Sequence, residues 1–252
     1  MTELAYLEDL PSAYVREFHA RITALPPGAI VLDRTYFYPA GGGQPSDRGT
    51  LQDEAGHRFE VVDVTKSGPA VVHRVRAPPD ASRHLLVGRA LVGSLDWDRR
   101  YRHMRLHTGQ HLLSALVYER SGRRTRRANL AGASATIDLE GPLAPDLLAR
   151  VQEDFDRAVA RSLSVAIRWV PRAEWDSHPD AGRSGLVPLP AHVDPVRVVE
   201  IASTDACPCG GTHVRSTGEV GDVRFAPPTV LTGGASRLGF TVVDGAPSTP
   251  IG

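Results

Sequence analysis

The chain has 252 residues with 29 Lys and Arg against 29 Asp and Glu, so its formal net charge is zero and bulk charge points to neither a nucleic-acid nor a membrane partner. A hydrophobic content of 41% beside 23% charged residues is that of an ordinary globular protein, long enough for one large core or two modest ones. No apolar run is long enough to span a membrane, and the acid-bearing start Met1–Leu10 lacks the basic opening of a secretory signal. The two cysteines, Cys207 and Cys209, stand one residue apart, too close for a framework disulfide, which points to a reducing, cytoplasmic home.

In chain order, Ala29–Arg34, His57–Val64, Ala70–Val75 and Leu85–Leu95 are short apolar or alternating runs set between Gly, Pro and Asp signals. They predict the strands of a small barrel or sandwich. Between the first two lies Phe37–Asp47 with Gly41, Gly42 and Gly43 in a row, suited either to a surface turn or to close approach of backbone to a partner. Asp96-Trp97-Asp98 opens a helix with Asp98 as its predicted N-cap, and Met104, Leu106, Leu112, Leu113 and Leu116 carry it to about Glu119. Residues 121–127 read as an arginine-rich loop, Ala133–Leu139 as a strand, and Pro142–Ser162 as an amphipathic helix with Leu147, Leu148, Val151, Phe155 and Val159 inward. Val165–Val170 is a further strand. A Pro- and Gly-rich connection over Arg172–Asp194 leads to strand Val196–Ile201, which delivers the chain to Cys209; Val220–Phe225 and Leu238–Val243 end the pattern. The expected class is α+β: a small N-terminal β-barrel over residues 1–94, then a domain over 95–252 with a mainly antiparallel sheet and two long helices.

Two motifs carry chemistry. His103, His107 and His111 recur one helical turn apart on a single stripe, and any adjacent two could offer imidazoles to one point. A hundred residues on, Cys209-Gly210-Gly211-Thr212-His213 can wrap a thiolate and an imidazole around a tight turn. If the two segments meet, the donors suit zinc. His103 reads more simply as a helix-surface or supporting residue, and Cys207 as a neighbour of Cys209, since two ligands one residue apart would strain a tetrahedron.

Arginine supplies every fixed side-chain cation but Lys66, a bias that a GC-rich genome explains. Two clusters still stand out, Arg99, Arg100, Arg102 and Arg105, then Arg123, Arg124, Arg126 and Arg127. Clustered guanidinium groups clamp phosphates, and they also solvate helix ends.

The segments Phe37–Gln44, His107–Ala115, Asp205–His213 and Thr217–Gly221 resemble the freestanding alanyl-tRNA editing proteins called AlaX, in particular their medium-length class. They are also similar to the editing domain of alanyl-tRNA synthetase. Trp175–Gly185 has no counterpart in the family pattern, and Cys207-Pro208 occurs in only part of the family. The resemblance implies one Zn2+ per chain held by His107, His111, Cys209 and His213. It implies hydrolysis of mischarged tRNA(Ala), chiefly seryl-tRNA(Ala) with glycyl-tRNA(Ala) as a second candidate, without ATP. The implied partner is the acceptor end of tRNA(Ala), with no membrane and no obligate protein partner.

Neither a nucleophile elbow nor a Ser/His/Asp set is visible, so direct attack by water is the economical expectation. Thr108 and Gln110 lie beside the ligands and could meet a substrate hydroxyl, or be plain helix surface. Asp205 could orient a ligand imidazole or cap the turn. Gly41, Gly42, Gly43, Arg99, Arg100, Arg123, Arg124 and Arg126 are the expected RNA contacts. Two other readings are a non-catalytic zinc module that binds RNA and a hydrolase of a small aminoacyl ester or thioester. Editing of a threonyl-type charge shares the metal motifs, but the Phe37–Gln44 loop favours the alanyl type.

Overall fold

The structure, a computed structural model, describes residues 1–78, 83–131, 134–181 and 189–243. By internal contacts it divides into two compact units, Met1–His103 and Met104–Gly252.

In the first unit the strands are β1 (Glu3–Leu4), β2 (Glu17–Ala24), β3 (Ala29–Leu32), β4 (Arg34–Thr35), β5 (Gly49–Asp53), β6 (Arg58–Ser67), β7 (Ala70–Arg76) and β8 (Ala90–Leu95). Six of them hydrogen-bond in the order β2-β3-β7-β6-β5-β8, and β8 pairs back onto β2 to close a barrel. Alternation explains which face closes: along β2, Phe18, Ala20 and Ile22 point in while Glu17, His19 and Arg21 point out. On β6 a bulge between Val61 and Asp63 shifts the register, so that Phe59, Val61 and Val64 all reach the core. These meet Leu32, Phe37, Leu51 and Leu91 inside.

β2 and β5 were absent from the sequence expectation. Ala20 and Ala24 dilute the apolar alternation of β2, and β5 is a five-residue strand that follows directly on the Gly-rich segment. That segment holds a tight turn. Gly41 and Gln44 exchange backbone hydrogen bonds across Gly42 and Gly43, whose φ angles are +56° and +86°, a left-handed region that side chains other than glycine rarely occupy.

Two buried polar groups fix the interior of this unit. Arg100 is fully buried, and its guanidinium donates to Asp47 Oδ2, to Ala13 O at 2.8 Å and to Tyr36 O. Asp47, equally buried, also accepts the Tyr38 N–H at 2.7 Å. His73 is the second: its Nδ1 lies 3.1 Å from Ile30 O and so carries the proton, while its Nε2, 2.8 Å from Thr35 Oγ1, accepts from that hydroxyl. The pair of bonds defines a neutral imidazole, and burial pushes its pKa down to about 4.

Helix α1 (Trp97–Ser121) runs across the boundary between the units. Its start is capped by Asp96, whose Oδ1 accepts the Arg99 N–H at 3.2 Å. Asp98, the expected cap, lies one residue inside the first turn, where its charge still favours the helix dipole. In the second unit β9 (Thr125–Asn129), β10 (Ser134–Leu139), β14 (Val223–Phe225) and β16 (Ser236–Val242) form the order β14-β16-β10-β9, with β15 (Thr229–Val230) also on β16. Ala133, the expected start of β10, lies outside the described residues. The arginine-rich stretch read as a loop over 121–127 becomes strand from Thr125, at the edge of this sheet, where outward arginines discourage pairing with another chain.

A second sheet joins β11 (Val165–Val170), β12 (Val196–Ile201) and β13 (Asp205–Pro208), all antiparallel. Helix α2 (Pro145–Ala160) begins with proline in its first turn and buries Val151, Phe155 and Ala158. Part of the expected connection forms a short helix, α3 (Arg172–Asp176), which places Trp175 on Val170, Val196 and Val198; residues 182–188 lie outside the described set.

The α+β class with mainly antiparallel sheets is thus observed. Among the described residues no helix is long and apolar enough to cross a membrane.

Removing the Asp47 carboxylate leaves a buried guanidinium without its counter-charge. Asp47→Ala is therefore expected to cost about 3–5 kcal/mol, read as a lower denaturant midpoint at unchanged slope. His73 gives a pH signature. The unfolded chain binds its proton near pH 6.5, whereas the folded chain resists protonation down to about 4. Stability is therefore full above about pH 6.5 and falls by roughly 3 kcal/mol as the pH drops through that window. Denaturation series at pH 7, 5.5 and 4.5 should show the fall in the natural protein and a flatter profile in His73→Gln.

Candidate metal centre

Two segments aim four donors at one point. Helix α1 supplies His107 and His111 at i and i+4, with ring centroids 5.2 Å apart. The residue between them on the opposite side is Gly109, and its lack of a Cβ matters: an added one would sit 3.3 Å from Val220 and 3.4 Å from Phe240. The helix can therefore lie close on its packing partners while its other face presents imidazoles. Strand β13 then feeds the turn that carries Cys209 and His213.

The His213 ring lies 4.4 Å from that of His107 and 4.8 Å from that of His111. Cys209 Sγ stands 3.4 Å from His107 Nε2 and 3.3 Å from His213 Nε2, and all four donor atoms fall within 4.8 Å of one another. The three imidazoles are buried and the thiol is half-buried. Zinc bonds of 2.0–2.3 Å in a tetrahedron would set donors about 3.5 Å apart, so the edges at the sulfur are those a single ion needs. The donor set could hold a metal ion and is compatible with zinc.

Hydrogen bonds orient the ring nitrogens. His111 Nδ1 lies 3.1 Å from Asp205 Oδ2, which places the proton there and leaves Nε2 as a donor to the cluster. Thr108 is fully buried, and its Oγ1 sits 3.1 Å from His213 Nδ1 while accepting the Val214 N–H at 3.1 Å. Thr108 thus stands where its hydroxyl can orient His213. Gln110 is also buried, and its amide donates to Ser114 Oγ at 2.9 Å, along the helix. Cys207 is not among the four clustered donors.

Electrostatics sharpen the arrangement. Burial alone would raise the Cys209 thiol, but the electrostatic influence of the His107 and His213 rings, with hydrogen bonds from His107 and His111, outweighs it and holds the thiol well below its usual range. Burial disfavours charge on His111 too, yet its bonds to Asp205 and Cys209 prevail and raise it to about 10. Burial, with His107 alongside, pushes His213 down to about 3. The metal-free cluster thus favours a thiolate beside a His111 imidazolium that bonds Asp205 through Nδ1, and an ion would take the place of its Nε2 proton.

Arg197, absent from the sequence reading, is buried behind the turn. Its Nη1 donates to Cys209 O at 2.5 Å, and its own carbonyl accepts the Cys209 N–H at 3.0 Å. A charged residue inside Val196-Arg197-Val198-Val199 was the available signal.

The expected RNA contacts divide. Arg100 cannot reach a phosphate, because its guanidinium is fully buried on Asp47; that expectation is corrected. Arg99 is half-buried and donates to Ser46 O at 2.9 Å. Arg124 and Arg126 are exposed, Arg126 lying 3.3 Å from Glu140, and Arg123 is half-exposed. Gly41 and Gly42 are exposed and Gly43 half-exposed.

Two family models match the chain, the class II (A) tRNA synthetases over residues 10–99 and the second additional domain of threonyl and alanyl tRNA synthetases over 196–234. The alanyl-tRNA editing protein AlaX-M of Saccharolobus solfataricus is 32% identical over 96% of this chain and 99% of its own length. AlaX-M of Methanosarcina acetivorans is 32% identical over 97% of this chain and 100% of its own. The alanine–tRNA ligase of Pyrobaculum neutrophilum is 34% identical over 95% of this chain, which spans 28% of that longer protein. With near-complete coverage of both AlaX-M relatives, the chain belongs to the AlaX-M family of alanyl-tRNA editing proteins.

Proposed function

We propose that the chain hydrolyses the aminoacyl ester of mischarged tRNA(Ala), chiefly seryl-tRNA(Ala) and secondarily glycyl-tRNA(Ala), at a zinc site made of His107, His111, Cys209 and His213. Water adds to the ester carbonyl carbon, the bond to the terminal ribose oxygen breaks, and the amino acid and a free hydroxyl leave. Bound zinc would supply Lewis-acid polarisation or a fixed point for orienting the substrate.

The remaining work falls to the chain itself. Asp205 keeps the His111 proton on Nδ1, Thr108 fixes the His213 ring, and Arg197 holds the carbonyl of Cys209, so the four donors stay convergent. Thr108 and Asp205 are on this reading positioning residues. Gln110 is the other polar residue directly beside a ligand on the helix, and its amide donates to Ser114. The segment 1–94, with Gly41–Gly43, is assigned to RNA approach and 95–252 to the chemistry. Arg99, Arg123, Arg124 and Arg126 are assigned to the phosphate backbone. A substrate drawn from translation places the protein in the cytoplasm.

The observation that carries this reading is the closure of the four donors within 4.8 Å in a chain related along its whole length to editing proteins. The same four-donor set also suits a purely structural zinc, which makes the RNA-binding module the second reading. One experiment separates them: release of serine from seryl-tRNA(Ala) and of alanine from alanyl-tRNA(Ala), by the natural protein and by Cys209→Ala. Serine release with alanine spared, lost together with bound metal in Cys209→Ala, is expected. Equal turnover of both substrates overturns editing, and survival of seryl-tRNA(Ala) with the intact protein favours the module. For the arginines, Arg124→Glu with Arg126→Glu should raise KM for tRNA and lower the salt dependence of kcat/KM by about one logarithmic unit of slope per lost phosphate contact. Unchanged slope would remove both from the interface.

A further inference from the structure

Helices α1 and α2 cover one face of the five-stranded sheet, where Phe155 meets Phe225 and Gly109 lets α1 lie against Phe240. The other face is polar. Arg127 and Asn129 on β9 are exposed there, and Thr136 and Asp138 on β10 and Arg237 on β16 are half-exposed. Arg224 of β14, paired with Thr241, adds a further exposed cation to the same face.

The register builds a seat on this face. Asp138 pairs with Arg127 on one side and Arg237 on the other, while Thr136 pairs with Asn129 and Gly239. Residues directly opposite across antiparallel strands share a face, so two adjacent rows read Arg-Asp-Arg and Asn-Thr-Gly. Arg127, Asn129, Thr136, Asp138 and Arg237 line a hollow of about 130 Å³. A water molecule takes about 30 Å³ in the liquid, so a group of a few heavy atoms, such as a phosphate, has room.

The donors around the hollow are uncommitted. Arg237 grips Asp138 through Nε at 2.6 Å and Nη2 at 2.8 Å, which fixes the plane of its guanidinium and leaves Nη1 without an acceptor among the described residues. Within that set Arg127 makes no hydrogen bond or ion pair, and the Asn129 amide nitrogen and the Thr136 hydroxyl have no partner. Gly239 points the same way. Its φ is not in the left-handed region, and an added Cβ would meet Ala226 at 3.5 Å and Thr136 at 3.9 Å, ordinary contacts. Neither backbone nor packing demands glycine there, and its effect is to leave the face bare beside Thr136.

Charge selects the occupant. Bonding to Arg237 holds the Asp138 carboxyl below the usual carboxylate range, so the row of two guanidinium groups and one carboxylate carries a single net positive charge. A nucleic-acid phosphodiester carries a single negative one. A free phosphate or a phosphate monoester would press a second charge on Asp138. The sheet itself separates this face from α1 and its histidines, a layer of about 10 Å, so a phosphate here belongs to a nucleotide short of the esterified one. The seat adjoins the sheet edge at β9, where Arg126 is exposed, next to the arginines already assigned to the RNA.

We propose that the open face of this sheet seats a backbone phosphodiester of the RNA, with Arg127 and Arg237 clamping its oxygens and Asn129 and Thr136 donating beside them. Asp138 acts as a positioning residue that holds Arg237 ready. The inference rests on the editing reading for the identity of the RNA and adds to it a contact remote from the metal cluster. Such a contact gives affinity and register without reading sequence.

The test uses the full chain and uncharged tRNA(Ala), whose binding needs no hydrolysis, measured over a series of salt concentrations. Arg127→Gln removes a guanidinium that supports no other group, so the fold is not at stake. It should weaken binding about threefold or more and make the slope of log affinity against log salt shallower by about one. Arg127→Lys, which keeps the charge, should restore the slope. Arg150→Gln removes an exposed arginine from α2 and should leave affinity and slope as in the natural protein. With seryl-tRNA(Ala), the loss in Arg127→Gln should fall on KM rather than kcat. Unchanged affinity and slope in Arg127→Gln, or an equal change in Arg150→Gln, overturns the seat, while serine release by the natural protein leaves editing in place. No serine release by the natural protein overturns editing, and the binding series then decides the seat by itself.

Discussion

A thiolate enclosed by three imidazoles is the interaction around which the second unit is arranged. Cys209 Sγ lies within 3.4 Å of two Nε2 atoms in a site with little water to screen it, so each ring must be turned and protonated in one way. The protein imposes that order with side chains that touch no donor atom of the cluster. Asp205 takes the Nδ1 side of His111, Thr108 the Nδ1 side of His213, and Arg197 the backbone of the turn. Each partner comes from a different element, β13, α1 and β12, so the geometry is determined by the packing of all three. Such a centre loses little freedom on taking up an ion, which is what makes a pre-formed site bind well.

The first unit shows the opposite use of a buried charge. Arg100 and Asp47 are as deeply enclosed as the cluster, but every bond of the pair goes to backbone or to each other. Breaking such a pair costs far more than replacing it whole with apolar groups, so its contribution lies in holding one arrangement rather than in net stability. It ties the first turns of α1 to the segment after the Gly42–Gly43 turn and to the carbonyls of Ala13 and Tyr36. Arginine in a cluster thus has two physical fates, and burial tells them apart: Arg100 is structural, whereas Arg124 and Arg126 remain in water.

The histidine stripe and the Cys209 turn were legible because metal chemistry needs few residue types at fixed spacing, and both motifs are local. His107 and His111 follow from helical periodicity alone, and the Gly210-Gly211 turn from its glycines. What stayed hidden depends on partners far apart in sequence. The Asp47–Arg100 pair spans 53 residues and the Thr108–His213 bond 105, and a lone Asp or Thr carries no mark of its eventual partner. Edge strand β9 resembles a loop in sequence because Arg126, Arg127 and Asn129 leave it no apolar alternation. Its pairing with β10 decides the matter through tertiary contacts, with Ile137 and Leu139 buried on the face away from solvent. Strand β2 failed for a related reason: its inward residues include alanine, which packs well in a barrel and reads weakly in a pattern.

The three-stranded sheet links these themes. Its two faces do different work, and strict alternation along β11, β12 and β13 keeps them apart. One face is covered by Trp175 from the α3 segment, and this closes an apolar cluster on Val170, Val196 and Val198. The other carries Asp205, Arg197 and Cys209 toward the metal cluster, and Trp169 toward solvent. An error of one residue in the register of β12 would exchange these faces, turning Val196 and Val198 off the Trp175 cluster and Arg197 away from the Cys209 carbonyl. Packing on the remote face therefore protects the geometry of the centre. Trp175 of α3 thus bears on the site through strand packing, without its side chain needing to approach the donors.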